Sequence, residues 1–142
     1  MRTKIAVIAA VLTVAGLSAS AALAGGTPLS TSLTGLEEEP GPGDPDGSGF
    51  ISLTLNQGKG EICFDLTLSN LDTVIAGHIH KAPAGDPGPV FVGLFSGAAP
   101  ASACVSATKD QVKAIRQDPE QYYVNVHTNT FQAGAVRGQL GD

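Results

Sequence analysis

The sequence predicts an all-β domain, an antiparallel Greek-key-like sandwich or barrel with one short helix. Two observations carry that prediction. Short apolar runs alternate with period two, and a single capped segment with helical spacing interrupts them. Taken in order, Ile51, Leu53 and Leu55 alternate with Ser52 and Thr54, and Ile62, Phe64, Leu66 and Leu68 alternate with Cys63, Asp65 and Thr67. Asn56-Gln57-Gly58-Lys59-Gly60 between them reads as a hairpin turn, because its glycines accept positive φ. Further strands are expected over Val74–His80, Val90–Phe95, Tyr122–Thr128 and Ala133–Leu140. The helix is expected after Thr108, with Gln111 in capping-box register and Val112 and Ile115 on one face. Asp118-Pro119 ends it, since the residue before a proline disfavours the helical conformation.

The N-terminus has a different composition. MRTK is basic, IAVIAAVLTVAGL is an apolar core shorter than a membrane span, and Ala22-Leu23-Ala24 supplies small residues for cleavage. Residues 1–24 are therefore expected to be a cleaved signal peptide and 25–142 a single domain, secreted or periplasmic, with no membrane span in the mature chain. Without Arg2 and Lys4, six basic residues face thirteen acidic ones, a formal charge of −7. That surface offers no electrostatic footprint for nucleic acid or anionic membranes. Cys63 and Cys104 are the only cysteines, and in an oxidising compartment an isolated pair reads as one disulfide.

The segment 37–47, EEEPGPGDPDG, reads as a loop. Its Asp44-Pro45-Asp46-Gly47 resembles half of a calcium loop, but the remaining ligand positions are missing and turn chemistry accounts for the residues. No serine–histidine–acid order, phosphate loop or paired-carboxylate signature occurs, so hydrolase and nucleotide-binding chemistries lack support.

The motifs Leu33-Thr34-Gly35 with Glu38 and Pro40, Gly77-His78-Ile79-His80, Gly88-Pro89-Val90, Tyr122-Tyr123-Val124-Asn125-Val126-His127-Thr128 and Arg137-Gly138-Gln139-Leu140 occur in that order. On them the chain resembles the CHRD domain, named after chordin and found in many secreted bacterial proteins, from about Leu29 to Leu140. The resemblance implies fold and compartment more than activity. Chordin-type signalling is not implied, because the chain has no cysteine-rich growth-factor-binding module. The function expected is an extracellular binding or structural module whose partner, a protein or matrix component, is unknown.

The three histidines suggest chemistry. Alternate strand residues share a face and lie about 6.6 Å apart, so His78 and His80 project together, and His127 shares a side with Tyr123 and Asn125. If those strands are neighbours, three imidazoles converge, a donor set suited to copper or zinc. Water, Asp65, Asp86 or Glu38 is a candidate for the fourth position. A structural network, in which the histidines order the Ala82–Pro89 loop without metal, stands beside this reading. So does a looser likeness to copper/zinc superoxide dismutase, a copper redox enzyme with a His-x-His strand, although a bridging histidine and a zinc-loop cluster are missing here. Arg137 is expected to anchor a buried carboxylate such as Asp65 or Glu38, with binding of an anion as the alternative. Of the two adjacent tyrosines, one is expected in the core and one at the surface.

Overall fold

The computed structural model describes residues 25–141; the expected signal peptide lies outside them. Eight strands form one antiparallel sheet: β1 (Thr27–Thr34), β2 (Ser48–Asn56), β3 (Glu61–Ser69), β4 (Val74–Lys81), β5 (Val90–Ser96), β6 (Ser102–Ser106), β7 (Tyr122–Thr128) and β8 (Val136–Gln139). Their order across the sheet is β5-β4-β7-β8-β1-β2-β3-β6. The sheet curls into a nearly closed barrel, so that β3 and β5, far apart in that order, meet through Phe64 and Phe95 with ring centroids 6.2 Å apart. The all-β class and the short helix are as the sequence predicts.

Alternation places one residue in two inside the barrel. Ile51, Leu53 and Leu55 of β2, Ile62, Phe64 and Leu66 of β3, and Val124 and Val126 of β7 belong to a single buried cluster. The β2–β3 hairpin keeps the expected turn: the Asn56 side chain accepts from the Lys59 amide at 3.0 Å, and Gly60 has φ +67. Helix α1 (Lys109–Gln117) follows β6 with the expected capping box, Gln111 donating its backbone N–H to Thr108 Oγ1 and Thr108 its own to Gln111 Oε1. It lays Val112 and Ile115, both 0 % exposed, into the same core. The Gln111 side chain also donates to the carbonyl of Phe91, tying the helix to β5.

Two strands escape the periodic reading. In β1, Thr27–Thr34, leucine recurs only at Leu29 and Leu33 among hydroxylated residues, and β6 is five residues long at a sheet edge. The last strand is shorter than expected, Val136–Gln139, and is preceded by bends at Gln132, Ala133 and Ala135.

Cys63 of β3 and Cys104 of β6 are register partners and are joined by a disulfide with S–S 2.02 Å. Closing a loop of that size stabilises a fold by about 4 kcal/mol in the chain-entropy view. Urea unfolding with and without reductant should therefore show the reduced protein less stable by a few kcal/mol. Coincident curves would mean that β6 contributes nothing to the cooperative unit.

Candidate metal centre

Strand β7 is buried on both sides. Val124 and Val126 point into the barrel, while Tyr123, Asn125 and His127 point outward beneath the loop that follows β4. Register builds the outer face in rows: His78 of β4 faces Asn125, which faces Arg137 of β8; His80 faces Tyr123, which faces Gln139; Ala76 faces His127. All three histidines thus meet on one patch, as strand geometry predicts.

The patch has a roof made by residues 82–89. Arg137, 1 % exposed, donates to the carbonyls of Asp86 (2.9 Å) and Pro83 (3.0 Å) and to Gln139 Oε1 (3.1 Å). Its guanidinium carbon lies 3.5 Å from the centre of the Tyr123 ring. Gln139 Nε2 donates to the Ala82 carbonyl, and the Gly88 amide donates to the Tyr123 hydroxyl. Two expectations are corrected here. No carboxylate lies within ion-pair distance of Arg137; the only such pair among the described residues is Lys59–Glu61. Loop carbonyls take the guanidinium donors instead, and Asp65 is exposed on distant β3. Both tyrosines are buried, at 2 % exposure each: Tyr122 packs in the apolar core against Phe91, and Tyr123 supports the polar patch.

The imidazole hydrogen bonds fix the tautomers. His80 Nδ1 lies 2.8 Å from the Gly88 carbonyl and His127 Nδ1 lies 3.0 Å from the Gln132 carbonyl. A carbonyl only accepts, so both Nδ1 atoms carry the proton and both Nε2 atoms present a lone pair. His127 Nε2 then accepts from His78 Nδ1 at 3.0 Å. One ligand atom from each ring lies within 4.8 Å of the others. Nitrogens bonded at about 2.0 Å to a tetrahedral ion stand about 3.3 Å apart, so the His78–His127 spacing is nearly that of a ligand pair.

Burial, which disfavours the imidazolium, lowers all three histidine pKa values, and the neighbouring rings lower that of His78 further. The rings are therefore neutral at pH 7 and competent as ligands without losing a positive charge. None of the three carboxylates considered for a fourth position joins the ligand atoms: Asp65 and Asp86 are exposed, and Glu38 is outside the group. Glu38 is nevertheless buried, 4 % exposed, next to the patch. A Cβ at Gly134 would collide with its carboxylate and one at Gly43 with its Cγ, so two glycines make room for it. Burial pushes its pKa up to about 7, against the opposing pull of Arg137 and a hydrogen bond from Asn125.

Elsewhere the chemistry is structural. Asp44 Oδ1 accepts from the amides of Asp46 and Gly47, which is turn chemistry. Glu61 lies beside Cys63 and Cys104, but both sulfurs are spent in the disulfide. Sequence reasoning missed Tyr123 and Gln139 as supports of the roof; their alternation with Val124 and with Gly138 on buried strands is the signal that marks the face.

The family model of the CHRD domain matches residues 29–140. No curated protein and no solved structure matches the chain.

The metal-free protein should lose stability as pH falls from about 6.5 through the lowered histidine values, because the unfolded chain takes up protons that the folded one refuses. Glu38 acts oppositely: its neutral form is favoured in the fold, so stability is lost as pH rises from its ordinary value of 4.5 through about 7. Glu38→Gln should accordingly gain stability relative to wild type across that window, measured by denaturant unfolding at several pH values. A difference independent of pH would show that Glu38 keeps an ordinary pKa. Arg137→Met should cost about 2 kcal/mol by removing the hydrogen bonds to the roof carbonyls and to Gln139, and should open residues 83–88 to limited proteolysis. A protease-resistant roof in that variant would contradict the clamp.

Proposed function

The chain belongs to the CHRD-domain family, and from that premise we propose that it is an extracellular binding and structural module with a transition-metal site at His78, His80 and His127. The observation that carries the metal site is the pair of backbone carbonyls, of Gly88 and Gln132, that hold the Nδ1 protons of His80 and His127. Ligating histidines are commonly held this way, with the second ring nitrogen bonded to a carbonyl or carboxylate that fixes tautomer and aim. Here the rings are anchored to backbone and also converge. A purely structural network needs the anchoring but not the convergence.

The donor set is three neutral imidazoles, which suits copper or zinc. His80 also ties the roof through Gly88, so an ion at this patch stabilises the roof and the barrel together. The export-type N-terminus and the disulfide support an extracellular setting, where the roofed face and its surroundings meet a protein or matrix partner. The dismutase reading gains no observation of its own: with three histidines in the chain, none is left to bridge a second metal.

Titration of the metal-free protein with Zn(II) or Cu(II) should end at one ion per chain and raise the melting temperature. His127→Ala should abolish stoichiometric binding. A protein that stays metal-free, with a melting temperature unchanged across the titration, would overturn the metal site and leave the structural network as the role of the histidines.

A further inference from the structure

Three buried side-chain atoms near the patch have no hydrogen-bond partner: His80 Nε2, Asn125 Oδ1 and Glu38 Oε1. Their residues are 8 %, 2 % and 4 % exposed, so water does not satisfy them from the surface. Unpartnered buried polar atoms are rare in folded proteins and call for an explanation. His80 Nε2 and Asn125 Oδ1 are acceptors. His80 Nδ1 is committed as donor to the Gly88 carbonyl, which leaves Nε2 only a lone pair.

Asn125 stands in the middle of the face. It is the register partner of His78 and lies two residues before His127 on the same side of β7. Its amide has two ends, told apart by their neighbours. Asn125 lies beside Glu38, and its NH₂ is the end that an ionised carboxylate takes. The oxygen end is left for the imidazoles, and the Asn125 side chain also lies against His80. Asn125 Oδ1 and His80 Nε2, two buried lone-pair atoms without a hydrogen-bond partner, thus lie on one face, where a cation would satisfy both.

We infer that the Asn125 carboxamide oxygen is the fourth ligand of the ion held by His78, His80 and His127. This rests on the metal site proposed above. The site is then three nitrogens and one oxygen, all uncharged. A hard oxygen donor beside imidazoles favours a divalent ion, Zn(II) or Cu(II), over Cu(I). Glu38 binds no metal itself. It holds the NH₂ of Asn125, fixes which end faces the ion, and supplies the one buried negative charge nearby when ionised.

The test measures Zn(II) affinity by competition with a chromogenic chelator, and the visible spectrum of the Co(II)-substituted protein, for wild type, Asn125→Ala and Asn125→Asp. Asn125→Ala should weaken zinc about 10–100-fold, the loss typical of damage to a metal site's supporting groups, and change the Co(II) bands. Asn125→Asp, which keeps the shape and adds a charge, should bind at least as tightly as wild type. In the wild-type protein, zinc should also shift the Asn125 side-chain NH₂ resonances, a readout that needs no variant to fold. Unmoved resonances, or unchanged affinity and Co(II) bands in Asn125→Ala, overturn the fourth ligand and leave the three-histidine site standing. A wild-type protein that takes up no zinc removes both.

Discussion

A guanidinium that is 1 % exposed must find partners for its donors inside the protein, and Arg137 finds them in the roof over the histidines. Its position in β8 is fixed by β7 on one side and by Thr34 of β1 on the other. Its donors are used on Pro83, Asp86 and Gln139, and its face is used on Tyr123. Arginine suits this place because its planar fork serves several acceptors at once and stacks on an aromatic ring. The Pro-Gly loop has few side chains with which to hold itself down, so its backbone carbonyls are held by the sheet. With the loop fixed, the Gly88 carbonyl is fixed, and with it the ring of His80.

The domain therefore has two interiors separated by one layer of sheet. Inside the barrel the contacts are apolar and non-directional, and β7 contributes valines. On the other side of the same strand the contacts are hydrogen bonds and stacked rings, and β7 contributes Tyr123, Asn125 and His127. Burying polar groups is costly unless each has a partner. Most of this second interior obeys that rule, and the three atoms that break it belong to His80, Asn125 and Glu38.

Much of this was legible in the sequence. Period-two alternation located the strands that line the barrel, because burial on one face writes itself into every second residue. The Thr108–Gln111 spacing located the helix, because that cap is a local device. His78, His80 and His127 were assignable to one face by parity alone, given that β4 and β7 are neighbours. Three features were not legible. Strands β1 and β6 are short of apolar residues, so no alternation announces them. The partner of Arg137 was sought among side chains and is backbone, which every sequence supplies equally. Glu38 comes close to Asn125 because its loop is tied to the segment before β8, the Asp44 amide donating to the Ala135 carbonyl, and because Gly134 leaves the room.

The disulfide has a consequence for the barrel's open seam. Only β5 and β6 have a single neighbour in the sheet, and these two strands follow each other in the chain, joined by the loop 97–101. Unpaired strand edges invite pairing with other chains. Here one edge is bolted to β3 by Cys63–Cys104 and the other is tethered to helix α1 through Gln111 and Phe91. The two edge strands are thus restrained by a covalent bond on one side and a side-chain hydrogen bond on the other, and by the loop that joins them at one end.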